Sequence, residues 1–148
     1  MVCDVGLKRY EFFSKATNTL NQHSLITLNT PVMKENVILE KSYIFAVRTI
    51  KAVRKLNKGI DTYVLVKQLL RAATSVGANI EESQGGYSKK DFKHKVNIAY
   101  KEARECKYWI RLILDTQVNT KEQENDFREL LDAADEACRI LYAISSSK

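Results

Sequence analysis

Hydrophobic residues recur at alternating spacings of four and three along most of this chain, which is typical of helices packed lengthwise against antiparallel neighbours. One such row is Phe92, Val96, Ala99, Ala103, Cys106, Ile110 and Ile113. Another is Phe127, Leu131, Ala134, Cys138, Leu141 and Ser145. Helix-favouring residues dominate and there is one proline among 148 residues, so the pattern predicts an all-α protein.

Turn and capping residues predict where the first two helices begin and end. Helix one is expected from about Lys34 to Asn57, because Gly59 follows as a stop signal. Asp61 is a candidate N-cap for helix two, since its carboxylate can accept hydrogen bonds from the amides of the next turn. Helix two is then expected to continue to about Ser83.

Two capping-box spacings predict the starts of the last two helices. Ser88 is followed three positions later by Asp91, and Thr120 is followed by Gln123 at the same spacing. Helix three is therefore expected over residues 89–116, and helix four from Thr120 to the SSSK tail. Four long helices with short connections predict an up-down-up-down four-helix bundle.

The first 32 residues do not share this pattern. They are rich in Asn, Thr and Ser, show no sustained period and contain the chain's proline, Pro31. We interpret residues 1–32 as a non-conforming N-terminal extension, either disordered or mistranslated from sequence upstream of a natural start at Met33. A genuine flexible arm is the alternative. Residues 33–148 are the predicted bundle domain.

Cysteine usage and hydropathy indicate a cytoplasmic protein without a membrane partner. The three cysteines are an odd number and show no metal-binding spacing, which fits a reducing compartment rather than a disulfide framework. No stretch approaches the ~20 apolar residues that a membrane-spanning helix needs.

Two segments resemble a known bacterial family. SVGANIEESQGGYSKKDF and NIAYKEARECKYWIRLI are similar to the four-helix bundle proteins encoded by intervening sequences within 23S rRNA genes, the so-called S23 ribosomal protein family. The resemblance covers residues 33–148. That family usually has Ala-Glu-Gly after Asn-Ile, whereas this chain has Glu81, Glu82 and Ser83, with Glu82 at the family's acidic position.

The resemblance has implications for assembly and partners. It implies a left-handed bundle that forms a ring-like homopentamer. It also implies kinship with the accessory proteins of diversity-generating retroelements, which resemble basic barrels that engage a reverse transcriptase and nucleic acid.

Charge is unevenly distributed along the chain. The net charge is +6, yet residues 34–58 carry seven basic and two acidic side chains, whereas residues 121–136 carry two basic and seven acidic ones. This asymmetry fits a polyanionic partner, or the pairing of unlike faces of two subunits.

Basic residues interleaved with tyrosines predict a nucleic-acid-binding surface, because cations neutralise phosphates and aromatic rings stack on exposed bases. The candidates on helix three are Lys93, Lys101, Arg104, Lys107, Tyr108 and Arg111. The candidates on helix one are Arg48, Lys51, Arg54 and Lys55. A solvated face with intrahelical ion pairs is the alternative.

Asn79 and Glu82, one turn apart in helix two, form a candidate structural polar clamp. A buried amide and a buried carboxylate both need partners, and Arg71, Lys101 or Arg104 could pair with Glu82. We interpret the pair as fixing helix register. A catalytic role is the alternative.

No catalytic residue, metal ligand or cofactor site is predicted. The two histidines, His23 and His94, lack the Glu-x-x-His pattern of di-iron bundles. The glycine pair before Tyr87 lacks the other residues of a phosphate-binding loop. Cys106 and Cys138 fall on apolar rows and are expected to be packed thiols.

The leading functional hypothesis is a non-enzymatic, oligomeric protein that binds RNA, including rRNA, or DNA through basic faces of helices one and three. The alternative is a protein–protein scaffold without direct nucleic-acid binding, in which the acidic helix four docks on the basic helices of a neighbour.

Overall fold

Residues 31–147 fold into four helices, each antiparallel to the next. The computed structural model describes residues 31–147, with side chains from Val37 onward. The helices are α1 (Pro31–Val53), α2 (Ile60–Gln84), α3 (Lys89–Asp115) and α4 (Lys121–Ser146). Each helix contacts the next and α1 contacts α4, whereas in this part of the chain α1 does not contact α3 and α2 does not contact α4. The predicted all-α, up-down-up-down bundle is confirmed.

Helix α1 differs from its predicted bounds at both ends. It begins at Pro31, three residues before Lys34, and proline is tolerated in a first helical turn because the amides there have no intrahelical acceptor. It ends at Val53, where the Leu56 amide bonds to the Val53 carbonyl at 3.2 Å in a tighter turn. Leu56 is still buried, so the apolar pattern continues past the end of the helix. Residues 1–30 of the predicted 1–32 extension, with Cys3 and His23, lie outside the described residues, whereas Pro31 and Val32 begin α1.

The predicted N-cap of α2 is wrong. Gly59 is the N-cap, and Asp61 lies within the first turn, where its Oδ1 accepts from the Thr62 amide at 2.8 Å. The Gly59 carbonyl accepts from the Tyr63 amide, also at 2.8 Å. Asp61 therefore contributes a negative charge to the first turn of α2 instead of serving as its N-cap.

The starts of α3 and α4 match their predicted capping residues. Ser88 Oγ accepts from the Asp91 amide at 3.1 Å, and the Thr120 amide donates to Gln123 Oε1 at 3.0 Å. Gln123 Nε2 also donates to the Lys55 carbonyl at 2.6 Å. The first turn of α4 is thereby tied to the end of α1.

The core is built from the predicted apolar rows. In α3 the buried residues are Val96, Ala99, Ala103, Cys106, Ile110 and Ile113, while Phe92 at the start of the row is half-buried. Alanines such as Ala72 and Ala103 allow close approach of α2 and α3, which share the most extensive interface, and α1 and α4 share the least extensive one. None of the helices described is long and apolar enough to cross a membrane.

Candidate nucleic-acid interface

Ion pairs join the basic side of α1 to the acidic side of α4. The pairs are Lys41–Glu136 at 3.0 Å, Arg48–Glu129 at 2.6 Å and Lys55–Asp126 at 2.6 Å. The residue numbers rise on one helix and fall on the other, as antiparallel packing requires. Part of the acidic surface of α4 is therefore neutralised within its own chain. Two of the predicted nucleic-acid-binding residues, Arg48 and Lys55, are already engaged in these pairs.

The other two candidates on α1 lie elsewhere. Lys51 and Arg54 are exposed, and neither forms an ion pair with a carboxylate in residues 37–147. Because α1 and α3 occupy diagonal corners of the bundle and do not contact each other in the described part, the candidates on these two helices do not form one surface.

Helix α3 presents the clearest basic surface. Lys101, Arg104 and Arg111 are exposed, and none of them forms an ion pair with a carboxylate of the described chain. Tyr108 is exposed beside them. The Arg104 guanidinium lies 5.9 Å from the centre of the Tyr100 ring, within the range of a cation–π contact.

Two further candidates on α3 are tied to α4. Lys107 pairs with Asp135, and Lys93 Nζ donates to the backbone carbonyl of Ser147. Both lysines are half-buried. They remain positive charges beside the exposed row, but they are less available to a ligand than Arg104.

Helix α4 adds two residues that the sequence analysis did not include. Tyr142 lies beside Tyr100, with ring centres 5.9 Å apart and planes tilted by 47°. Arg139 pairs with Asp135 one turn earlier on the same helix. Both residues follow the acidic run at 121–136 in the sequence. That position was the one sequence feature that could have pointed to them as part of a basic surface. Their proximity to the basic row depends on how α3 and α4 pair.

These side chains define what we call the α3–α4 face. Its members are Tyr100, Lys101, Arg104, Lys107, Tyr108 and Arg111 from α3, and Asp135, Arg139 and Tyr142 from α4. Five cations and one carboxylate make it net positive. The hydrogen bond from Lys107 holds the pKa of Asp135 below its usual range, so this carboxyl stays ionised between Lys107 and Arg139. Such a surface can bind a polyanion that carries aromatic rings.

Comparisons with known proteins identify the family of this chain. The profile of the family described as 23S rRNA-intervening sequence protein matches residues 34–143. The chain belongs to this family. The predicted resemblance is thus confirmed.

A solved structure is also similar to this chain. It is the crystal structure of a protein with unknown function from the S23 ribosomal protein family of Bacteroides thetaiotaomicron VPI-5482, with 38% sequence identity and a TM-score of 0.68. The match covers 77% of this chain and 99% of that chain. No match was found among curated proteins. The family match at 34–143 contains every residue of the α3–α4 face.

The predicted clamp residues do not meet their expected partners. Asn79 Nδ2 donates to the carbonyl and hydroxyl of Ser75 at 2.9 and 3.2 Å, one turn back in the same helix. Glu82 is exposed and pairs with Lys95 of α3 at 2.5 Å. The ion pair connects α2 to α3.

The expected cations are elsewhere because of the register between α2 and α3. The short 85–88 connection places residue 82 opposite residue 95. About three turns further along, Arg71 pairs with Glu105 at 2.6 Å. Lys101 and Arg104 lie further along α3 than Lys95, and neither forms an ion pair with Glu82.

The described residues offer little for catalysis by thiol or metal. Cys106 and Cys138 are buried, and burial raises the pKa of both thiols, which keeps them in the poorly nucleophilic protonated form. His94 is exposed. Within residues 37–147, no three His, Cys, Asp or Glu side chains are grouped to hold a metal ion.

Proposed function

We propose that this protein binds nucleic acid, RNA or DNA, through the α3–α4 face and acts without catalysis. The observation that carries the proposal is the exposed row of Lys101, Arg104 and Arg111, which lack carboxylate partners in the described chain and lie among tyrosines. Phosphate groups would supply the missing negative charge.

The expected energetics are those of counterion release. Each phosphate that a lysine or arginine neutralises frees a condensed cation, so the logarithm of affinity falls with the logarithm of salt concentration by about 0.7 to 0.9 per contact. Three exposed cations on α3 therefore predict a slope of about 2 or more. Tyrosine rings add a contribution that salt does not screen.

The proposed binding surface is smaller than the one predicted from the sequence. Arg48 and Lys55 lie 2.6 Å from carboxylates of α4, and a phosphate would have to displace those carboxylates. Lys51 on α1 and Arg54 in the turn after it are accessible, but α1 does not contact α3. We therefore assign binding to the α3–α4 face and not to α1.

A matched pair of triple variants tests this assignment. One replaces Lys101, Arg104 and Arg111 by alanine, and the other replaces the exposed Lys51, Arg54 and Lys58 of α1 and its following loop. Both remove three positive charges. Binding of a fluorescein-labelled structured RNA is followed by anisotropy over a range of salt concentrations, and circular dichroism confirms that helicity is kept.

The α3 triple variant is expected to bind at least about tenfold more weakly and with a salt slope lowered by about 2 to 3, whereas the α1 variant is expected to lose less. Equal losses would show that net charge, not the α3–α4 face, governs binding. If the unaltered chain does not bind at low salt, the proposed function is wrong.

We also propose that the protein self-associates. The family resemblance implies a ring-like homopentamer. Large apolar side chains are exposed on the α1–α2 side, among them Tyr43, Ile60, Tyr63 and Val64. A ring would repeat the α3–α4 face, and one long nucleic acid could then engage several copies with gained avidity. Light scattering at several concentrations tests this. The mass of a single chain throughout would contradict it.

The alternative of a pure protein scaffold has less support. In this alternative, the acidic helix four docks on the basic helices of a neighbouring subunit. In this structure Asp126, Glu129 and Glu136 of α4 pair with α1 of the same chain. A neighbour would have to break those pairs before it could use these carboxylates.

A further inference from the structure

We infer that the α3–α4 face binds single-stranded nucleic acid in preference to duplex, with bases stacked on Tyr108 and Tyr142. This inference rests on the proposed function and specifies its ligand. Tyr108 and Tyr142 are 54% and 57% exposed, although each ring is large and apolar. More than half of the surface of each residue is therefore accessible to a ligand.

Each exposed ring is supported by a neighbouring aromatic side chain. The Tyr142 ring leans on Tyr100, with centres 5.9 Å apart. The Tyr108 ring meets Trp109 edge to face, with centres 4.9 Å apart and planes at 70°. Because neighbours restrict the rings before a ligand arrives, stacking costs less conformational entropy than on an isolated side chain.

The supporting residues are fixed in turn by polar contacts. Trp109 Nε1 donates to Glu105 Oε1 at 3.0 Å, and the same carboxylate oxygen accepts from Arg71 of α2 at 2.6 Å. Tyr100 carries the Arg104 guanidinium 5.9 Å from its ring centre. Tyr100 and Trp109 are also partly buried against the hydrophobic core, so both supporting side chains pack on the bundle.

The spacing of the platforms fits a strand with splayed bases. Tyr100, which supports Tyr142, and Tyr108 are eight residues apart on α3, or about 12 Å along the helix axis. Arg104 and Lys107 lie between them in the sequence, and Lys107 is tied to Asp135 on the α4 side. Cations that contact the backbone, flanked by rings that contact bases, are the usual components of single-strand binding sites.

A duplex cannot use these platforms. Its bases are already stacked on one another in the interior of the helix, so an external tyrosine finds no free base face. Only the cations would then contribute, through phosphate contacts. The same surface should therefore hold a single strand more tightly than a duplex of equal length.

The test compares an unstructured RNA of about 20 nucleotides, labelled with fluorescein, with the same strand annealed to its complement. The full chain is used, together with the double variant Tyr108→Leu/Tyr142→Leu, the ring-preserving Tyr108→Phe/Tyr142→Phe, and the control Tyr87→Leu. Tyr87 is exposed in the connection between α2 and α3, outside this face. Anisotropy is recorded over a salt series and helicity is checked by circular dichroism.

The unaltered protein is expected to prefer the single strand. The leucine variant should lose about tenfold or more in single-strand affinity, with an unchanged salt slope and unchanged duplex binding. The phenylalanine variant and the Tyr87 control should retain both activities.

Two results would overturn the inference while leaving the proposed function intact. One is salt-dependent binding by the unaltered protein that is equally tight for duplex and single strand. The other is an equal loss of both ligands in the leucine variant. Absence of binding to either RNA at low salt would overturn both proposals. If the leucine variant loses helicity, the strand preference of the unaltered protein and of the phenylalanine variant decides.

Discussion

The guanidinium of Arg48 on α1 lies 2.6 Å from the carboxylate of Glu129 on α4. With Lys41–Glu136 and Lys55–Asp126 it forms a ladder along the least extensive helix interface of the bundle. Exposed pairs of this kind each contribute up to about 1 kcal/mol. α1 and α4 share less packed surface than the other pairs of neighbouring helices. We therefore expect the stability of this interface to depend more on charge.

Reversing one charge of the ladder should destabilise the fold. Glu129→Lys places a second cation opposite Arg48, and we expect the free energy of unfolding to fall by about 1 kcal/mol. Adding Arg48→Glu restores the attraction and should recover most of the loss. Urea unfolding measures both effects, which should shrink in about 1 M NaCl because salt screens exposed charges.

Asp132→Lys is the matched control for this series. It makes the same charge change on α4 at an exposed residue that forms no ion pair with the described side chains. We expect a smaller effect. A double Arg48/Glu129 variant no more stable than Glu129→Lys alone would contradict the ladder.

Substitutions at Ile110 should show a graded cost in the core. This side chain on α3 is fully buried. Ile110→Val removes one methyl group and should cost about 0.5 to 1.5 kcal/mol, whereas Ile110→Ala leaves a larger cavity and should cost about 2 to 5 kcal/mol. Chemical denaturation measures both values, with the exposed Lys101→Ala as a control near zero. Equal costs for the two Ile110 variants would show that this site is not closely packed.

The helices were predictable because burial along a helix is a local, periodic property. The row from Val96 to Ile113 is apolar at every position that faces the core, and hydrophobicity alone marks it. The same reasoning gave the wrong end for α1. Leu56 is buried like a helical residue although it lies in a turn, and periodicity cannot distinguish the two cases.

The candidate site was only partly predictable because it depends on contacts between helices. When each helix is considered alone, Arg48 and Arg104 are equally plausible candidates for nucleic-acid binding. The difference is that α4 places Glu129 beside Arg48 but places Tyr142 beside Tyr100, which supports Arg104. Such pairing follows from the register of antiparallel helices, which no spacing within a single helix contains.

Glu105 should make stability depend on acidic pH. The hydrogen bond from Trp109 and the pairing with Arg71 hold the pKa of Glu105 below its ordinary value of 4.5, and partial burial opposes them. A depressed pKa means that this stabilisation is present above pH 4.5 and is lost as the pH falls through the folded-state pKa. Acid should therefore weaken the contact between α2 and α3.

The variant Glu105→Gln isolates this contribution. Its amide oxygen can still accept from Trp109, but the side chain cannot ionise. We expect Glu105→Gln to be less stable than the unaltered chain at neutral pH and the two to converge in acid, as measured by urea unfolding at several pH values. The difference between the two proteins is the relevant quantity, because the pKa of Asp135 is also lowered. A difference that does not change with pH would contradict the prediction.

Cys106 and Cys138 should be nearly inert to thiol reagents in the folded protein. They are 0% and 8% exposed, and burial raises the pKa of both thiols, so little reactive thiolate exists at neutral pH. Cys138 should react first, because it is more exposed and because Lys107 and Arg104 partly offset the effect of burial on its pKa. The measurement is the rate of reaction with an aromatic disulfide, with and without guanidinium chloride.

The measurement uses Cys3→Ser as its background, so that only the two thiols in the described residues are counted. Adding Cys106→Ala then isolates the rate of Cys138. We expect slow labelling of the folded chain and fast labelling of both thiols once the helices unfold. Fast labelling with native helicity would mean that α3 and α4 separate readily. The α3–α4 face would then lack the fixed pairing of Tyr100 with Tyr142 on which base stacking depends.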